Sequence, residues 1–211
     1  MLESVRKEEG MTTTAPTNVI PYVIKGSAFG VLMMTLFGTA WLAWGLQSQL
    51  AASPWLGAVL VLPAIALLVP CFGMFQVGRQ AAKRAASLTA EQKRQQGRMG
   101  MMFGIIFAAE GLLIFLAVNV LGKLHLELYL INAVAAIVGL HFLPLARLYR
   151  FPLYYWVGGV MVADALLLLA LPSPIRQIAV GLSMGAILWL TCVLVLRRGF
   201  RLAHEQPTAY A

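Results

Sequence analysis

The chain reads as an all-α polytopic membrane protein: six transmembrane helices in one bundle, with both termini in the cytoplasm. Three observations predict this. Of its 211 residues, 60% are hydrophobic and 11% charged, with a mean hydropathy of +0.80. A soluble globular domain carries about 25% charged and roughly 45–50% apolar residues. The apolar residues gather into six runs near the length of about 20 residues that crosses about 30 Å of hydrocarbon. The basic residues then fall between these runs with a one-sided bias. The balance excludes a disordered chain, a collagen-like fibre and a disulfide-stapled secreted module.

Residues 1–25 form an N-terminal tail. Its first 18 residues are polar and Thr-rich and lack the short apolar stretch and small-residue cleavage site of a signal peptide, so they read as a cytoplasmic leader, with Met11 as a second candidate start. The spans fall at about 26–47, 54–77, 99–121, 128–146, 153–172 and 174–196. A β-barrel would show shorter segments of alternating polarity, which these runs do not. Residues 78–98 make a basic loop in which Thr89 and Gln92 have capping-box spacing ahead of good helix formers, so the third helix is expected to begin before its apolar run. Residues 197–211 are a C-terminal tail.

Sidedness follows from the 16 Lys and Arg. With the N-terminus inside, Arg6, Lys7, Lys25, Arg79, Lys83, Arg84, Lys93, Arg94, Arg98, Arg147, Arg150, Arg197, Arg198 and Arg201 are cytoplasmic, and only Lys123 and Arg176 face outward. Short cytoplasmic loops carry this excess, and the location it implies is a cell's inner, cytoplasmic membrane. The same clustering accounts for the net charge of +8 without nucleic acid. The expected partners are the lipid bilayer and the anionic headgroups that basic loops attract. Trp41, Trp44, Trp55, Tyr129, Tyr154, Tyr155 and Trp156 are expected at the interfaces.

Within spans the informative residues are ionisable ones, since a charge at the bilayer centre costs at least about 2.5–3.5 kcal/mol. Glu110 lies in the middle of the third run and Asp164 in the middle of the fifth, and both helices run outward, so the two carboxyls are expected at similar depth. His141, in the fourth run, titrates near neutral pH and can relay protons between these acids and the cytoplasm. The structural alternative is that the acids bridge helices by hydrogen bonds and the histidine is a satisfied core residue. Pro144 frees the Leu140 carbonyl near His141, and Arg147, Tyr149 and Arg150 follow, a set able to hold an anionic headgroup.

Pro63 and Pro70 mark the second run, and with Pro144 they make the second and fourth helices candidates for lining a cavity. Gly26 with Gly30, Gly100 with Gly104, and Gly181 with Gly185 have GxxxG spacing, which permits close crossing within one chain or homo-oligomer contacts between chains. Ala109 to Leu113 (AEGLL) matches Ala163 to Leu167 (ADALL), which predicts a repeat relating the second and third helices to the fourth and fifth. Cys71 and Cys192 sit in apolar segments without CxxC spacing and read as small buried side chains. Neither a metal site nor a cofactor is expected: His141 is the only histidine in a span, no span holds a lysine, and HExxH and P-loop motifs are absent.

The stretch His141, Phe142, Leu143, Pro144 through Leu148 and Tyr149 resembles a motif in an uncharacterised family of small six-span bacterial membrane proteins. The resemblance implies a compact helical membrane protein and a role for His141 and Tyr149, with no activity, substrate or cofactor attached. The residues point first to a small permease or proton-linked transporter. The second reading is a non-catalytic membrane scaffold or subunit, and the third a membrane-embedded enzyme acting on a lipid or quinone.

Overall fold

The computed structural model describes residues 20–53, 55–84 and 89–204. The N-terminal leader, Pro54, residues 85–88 and the last seven residues lie outside the described residues, as does the side chain of Gln92. Among the described residues there are helices and short turns and no strand. The helices are α1 (Ile20–Gly45), α2 (Gln47–Ala52), α3 (Leu56–Arg84), α4 (Ala90–Lys123), α5 (Leu130–Tyr149), α6 (Leu153–Leu167) and α7 (Ser173–His204). Six of them, all but the short α2, are long and apolar enough to cross a membrane.

Basic segments prolong three of the runs. The fourth helix begins at Ala90, nine residues before its apolar run, and the Lys93 amide donates to the Thr89 carbonyl at 3.0 Å, so Thr89 stands at the helix entry. The basic segment between the second and third runs is therefore mostly helix, with α3 continuing to Arg84. α7 likewise extends past its apolar run to His204. At the other end of α5, Arg150 takes a left-handed backbone (φ 48°) and its amide returns to the Ala146 and Arg147 carbonyls, which closes the helix.

Two groups of helices make the bundle. α1 packs along α7 and α3, α5 packs along α6 and α4, and lesser contacts of α7 with α5 and α6 join them. The core is unusually rich in sulfur: Met74, Met161, Met184 and Cys192 are fully buried beside Val31, Val180 and Leu188. Both thiols tie α1 to its neighbours. Cys71 donates to the Ala28 carbonyl at 3.1 Å, and Cys192 lies 3.5 Å from the Thr35 hydroxyl and 3.6 Å from the Val31 carbonyl.

Of the three GxxxG pairs, Gly181 and Gly185 form a crossing. A Cβ on either would collide with Gly45 or Leu42 of α1, so the two backbones meet where no side chain fits. Gly100 and Gly104 have nothing within 4 Å, and Gly26 is equally open. The α5–α6 contact rests on a pair that spacing did not reveal: a Cβ on Gly158 would lie 2.6 Å from the Gly139 carbonyl oxygen.

Two expectations need correction. The matching pentapeptides predict equivalent α3–α4 and α5–α6 hairpins, but α3 packs on α1 and α7, and α4 packs on α5. The AEGLL and ADALL match therefore reflects abundant Ala and Leu rather than a packing repeat. The aromatic belt expectation also fails at Trp41, which is buried in the bundle. Trp55 and Trp156 are 67% and 75% exposed, whereas Trp41 is 5% exposed and stacks on Trp44 with ring centroids 5.5 Å apart. Trp41 is thus part of the bundle's core, and its carbonyl oxygen lies at the Gly181 crossing.

Candidate functional site

α4 presents a narrow inward stripe. Phe103, Ile106, Glu110, Ile114 and Ala117 are partly covered at helical spacing while their neighbours are exposed. Glu110 is the one ionisable residue of that stripe and meets α5 at His141. Glu110 Oε2 and His141 Nδ1 are 3.0 Å apart, with side chains 13% and 10% exposed. Nδ1 makes no aligned hydrogen bond, so the contact is a close approach of the two side chains rather than a linear N–H···O bond. A carboxylate and an imidazolium in an apolar setting offset each other's cost, and protonation of either the acid or the base leaves the pair neutral.

Aromatic rings flank His141. His141 stands edge-on to Phe107 at 6.3 Å and to Phe142 at 5.9 Å. Phe107 stacks with Phe103 at 6.2 Å, and these two rings meet Phe37 and Phe29 of α1 at 6.5 and 6.4 Å. These rings give α4 its contact with α1.

Asp164 is placed differently. Its Oδ2 accepts a 2.5 Å hydrogen bond from the Ser183 hydroxyl, linking α6 to α7, and that hydroxyl also lies 3.1 Å from the Val180 carbonyl oxygen. Glu110 and Asp164 thus belong to two separate helix pairs, and the structure does not join them through a shared partner. Arg147, Tyr149 and Arg150 are exposed at the end of α5, beyond the stretch that holds His141. Tyr149 leans toward Phe103 with centroids 6.5 Å apart. Among the described residues none of the three makes an ion pair or ring contact with His141 itself.

Two polar anchors escaped the sequence reading. Asn132, 4% exposed on α5, donates to the Ala165 carbonyl of α6 at 2.7 Å. Arg176, assigned to the outer side by its place in the sequence, is 5% exposed: it donates to the Leu128 carbonyl at 2.8 Å and lies over the Tyr129 ring at 4.7 Å. Its position at a span end gave no sign of this, because the carbonyl it finds is 48 residues away in the chain.

Pro63 and Pro70 line open surface grooves rather than an enclosed cavity, and Pro144 lines neither. Two grooves of about 580 and 310 Å³ run between α3 and α7, sharing Ala66, Leu67 and Val193. They are apolar and do not include Glu110, His141 or Asp164. Among the described residues no group of three or more His, Cys, Asp and Glu is placed to hold a metal ion. No family model, curated protein or solved structure matches the chain, so the short resemblance at His141 to Tyr149 has no match behind it.

Proposed function

We propose that the chain is a multi-pass inner-membrane protein with both termini cytoplasmic, acting as a small proton-linked transporter whose exchanging group is the Glu110 and His141 pair. The observation that supports this reading is the 3.0 Å approach of two ionisable side chains midway along apolar helices. A pair sharing one proton is neutral. Losing that proton leaves one negative charge in hydrocarbon, and gaining a second leaves one positive charge. Either state is costly unless a solute of opposite charge enters or the site opens to water, so proton exchange and solute movement become coupled. Asp164 serves the same protein as an α6–α7 bridge through Ser183. The basic helix extensions on α3, α4 and α7 rest on anionic headgroups.

The test is proton flux into liposomes containing the purified protein. Glu110→Gln and His141→Asn each keep the shape of the site and remove its exchangeable charge, so each is expected to lower flux at least tenfold, while Asp164→Asn retains it. Unchanged flux in both pair variants eliminates the mechanism.

One observation favours a second reading, a membrane subunit. The most apolar stretch of α4 contains no buried residue, and its Gly100 and Gly104 meet nothing. A helix so lightly covered is suited to pairing with another copy or a partner helix.

A further inference from the structure

The α3–α7 grooves lie away from the Glu110 and His141 pair and call for their own occupant. They form one trough, because both are lined by Ala66, Leu67 and Val193. The trough is lined by Trp189 and Pro63 towards one end and by Arg197 and Arg201 towards the other. Two features of α3 and α7 produce it. Pro63 and Pro70 lie inside α3, and a proline ring disturbs the preceding turn of a helix. Beyond them α3 and α7 close again, where a Cβ on Gly199 would strike the Met74 sulfur.

The length of the trough is informative. Trp189 and Arg201 are twelve residues apart on α7, which at 1.5 Å per residue is about 18 Å. Half the hydrocarbon core is about 15 Å. The trough therefore runs from near mid-bilayer to the headgroup level of a single leaflet, which is the extent of one acyl chain with its headgroup. Arg197 and Arg201 are four residues apart, on one face of the helix. Both are exposed, and no carboxylate lies against either among the described residues. Arg198, between them, is occupied over the Phe151 ring at 4.3 Å. The chemistry is thus apolar along the length and doubly cationic at the mouth.

We infer that the α3–α7 trough is a binding site for one anionic phospholipid of the leaflet on the basic side, its acyl chain along Ala66, Leu67 and Val193 and its phosphate between Arg197 and Arg201. The inference rests on the membrane reading of the chain and is independent of proton exchange at Glu110.

Native mass spectrometry of the purified protein with phosphatidylglycerol or phosphatidylcholine of equal chain length tests it. The wild type is expected to retain one phosphatidylglycerol with a preference of roughly tenfold or more over phosphatidylcholine, the order produced by two basic side chains at an anionic headgroup. Arg197→Gln with Arg201→Gln is expected to abolish that preference, and Ala66→Phe to displace both lipids. Arg6→Gln with Lys7→Gln removes the same charge from the N-terminal tail and is expected to leave the preference intact. Equal retention of the two lipids by the wild type overturns the proposal, as does equal loss of preference in both double variants. If the Arg197 and Arg201 variant does not fold, a diazirine-bearing phosphatidylglycerol crosslinked to the wild type decides instead. Adducts within 63–70 and 189–201 support the site, and adducts elsewhere refute it.

Discussion

Gly181→Ala adds one methyl group at the α1–α7 crossing, and the structure states what that methyl would meet. A Cβ there would lie 2.7 Å from the Gly45 amide nitrogen and 2.8 Å from the Trp41 carbonyl oxygen. Non-bonded carbon contacts settle near 3.5–4.0 Å, so the two helices must separate by about 1 Å. Both obstructing atoms are backbone, and no change of rotamer can relieve them. The separation also loosens Leu42, Met184 and Leu188, which are buried in the same seam. Forced overpacking of this kind costs about 1–3 kcal/mol. Gly100→Ala and Gly104→Ala have the same sequence spacing and open surroundings, where alanine improves helix propensity by about 0.8–1 kcal/mol. The expected result in detergent is a midpoint of thermal unfolding lowered by about 3–10 °C for Gly181→Ala, against an unchanged or raised midpoint for the α4 variants. An unaltered midpoint for Gly181→Ala would refute the crossing. Equal destabilisation by the α4 variants would instead place those glycines in a contact between chains.

Two further outcomes can be checked directly. With cysteines introduced at Lys123 and, separately, at Arg98, a membrane-impermeant maleimide added outside intact cells is expected to label only the Lys123→Cys protein; the reverse pattern would overturn the sidedness. The native thiols do not interfere, since Cys71 and Cys192 are buried. Asn132→Ala removes a buried hydrogen bond between α5 and α6, and Ser183→Ala removes the hydroxyl that holds Asp164. Each is expected to cost about 0.6–2 kcal/mol of stability without lowering proton flux. A flux defect in Ser183→Ala at normal stability would return Asp164 to the pathway.

The architecture was legible because its cause is one-dimensional. Burial of backbone polar groups in hydrocarbon forces helices of fixed length, so composition, run length and the positions of Lys and Arg are sufficient to set out six apolar helices and to motivate a sidedness. The start of α4 at Ala90 was equally local, written in Thr89 and the helix formers after it. Glu110, His141 and Asp164 stood out for the same reason, as ionisable residues in apolar runs. What each one faces depends on the rotation of its helix, which hydropathy does not encode because every side of such a helix is apolar. Only the tertiary structure paired Glu110 with His141 and Asp164 with Ser183, buried Arg176 against the Tyr129 ring, and chose Gly181 and Gly185 over Gly100 and Gly104 as a crossing. Sequence fixes which side chains are costly to leave alone in lipid, and packing decides which neighbour relieves that cost.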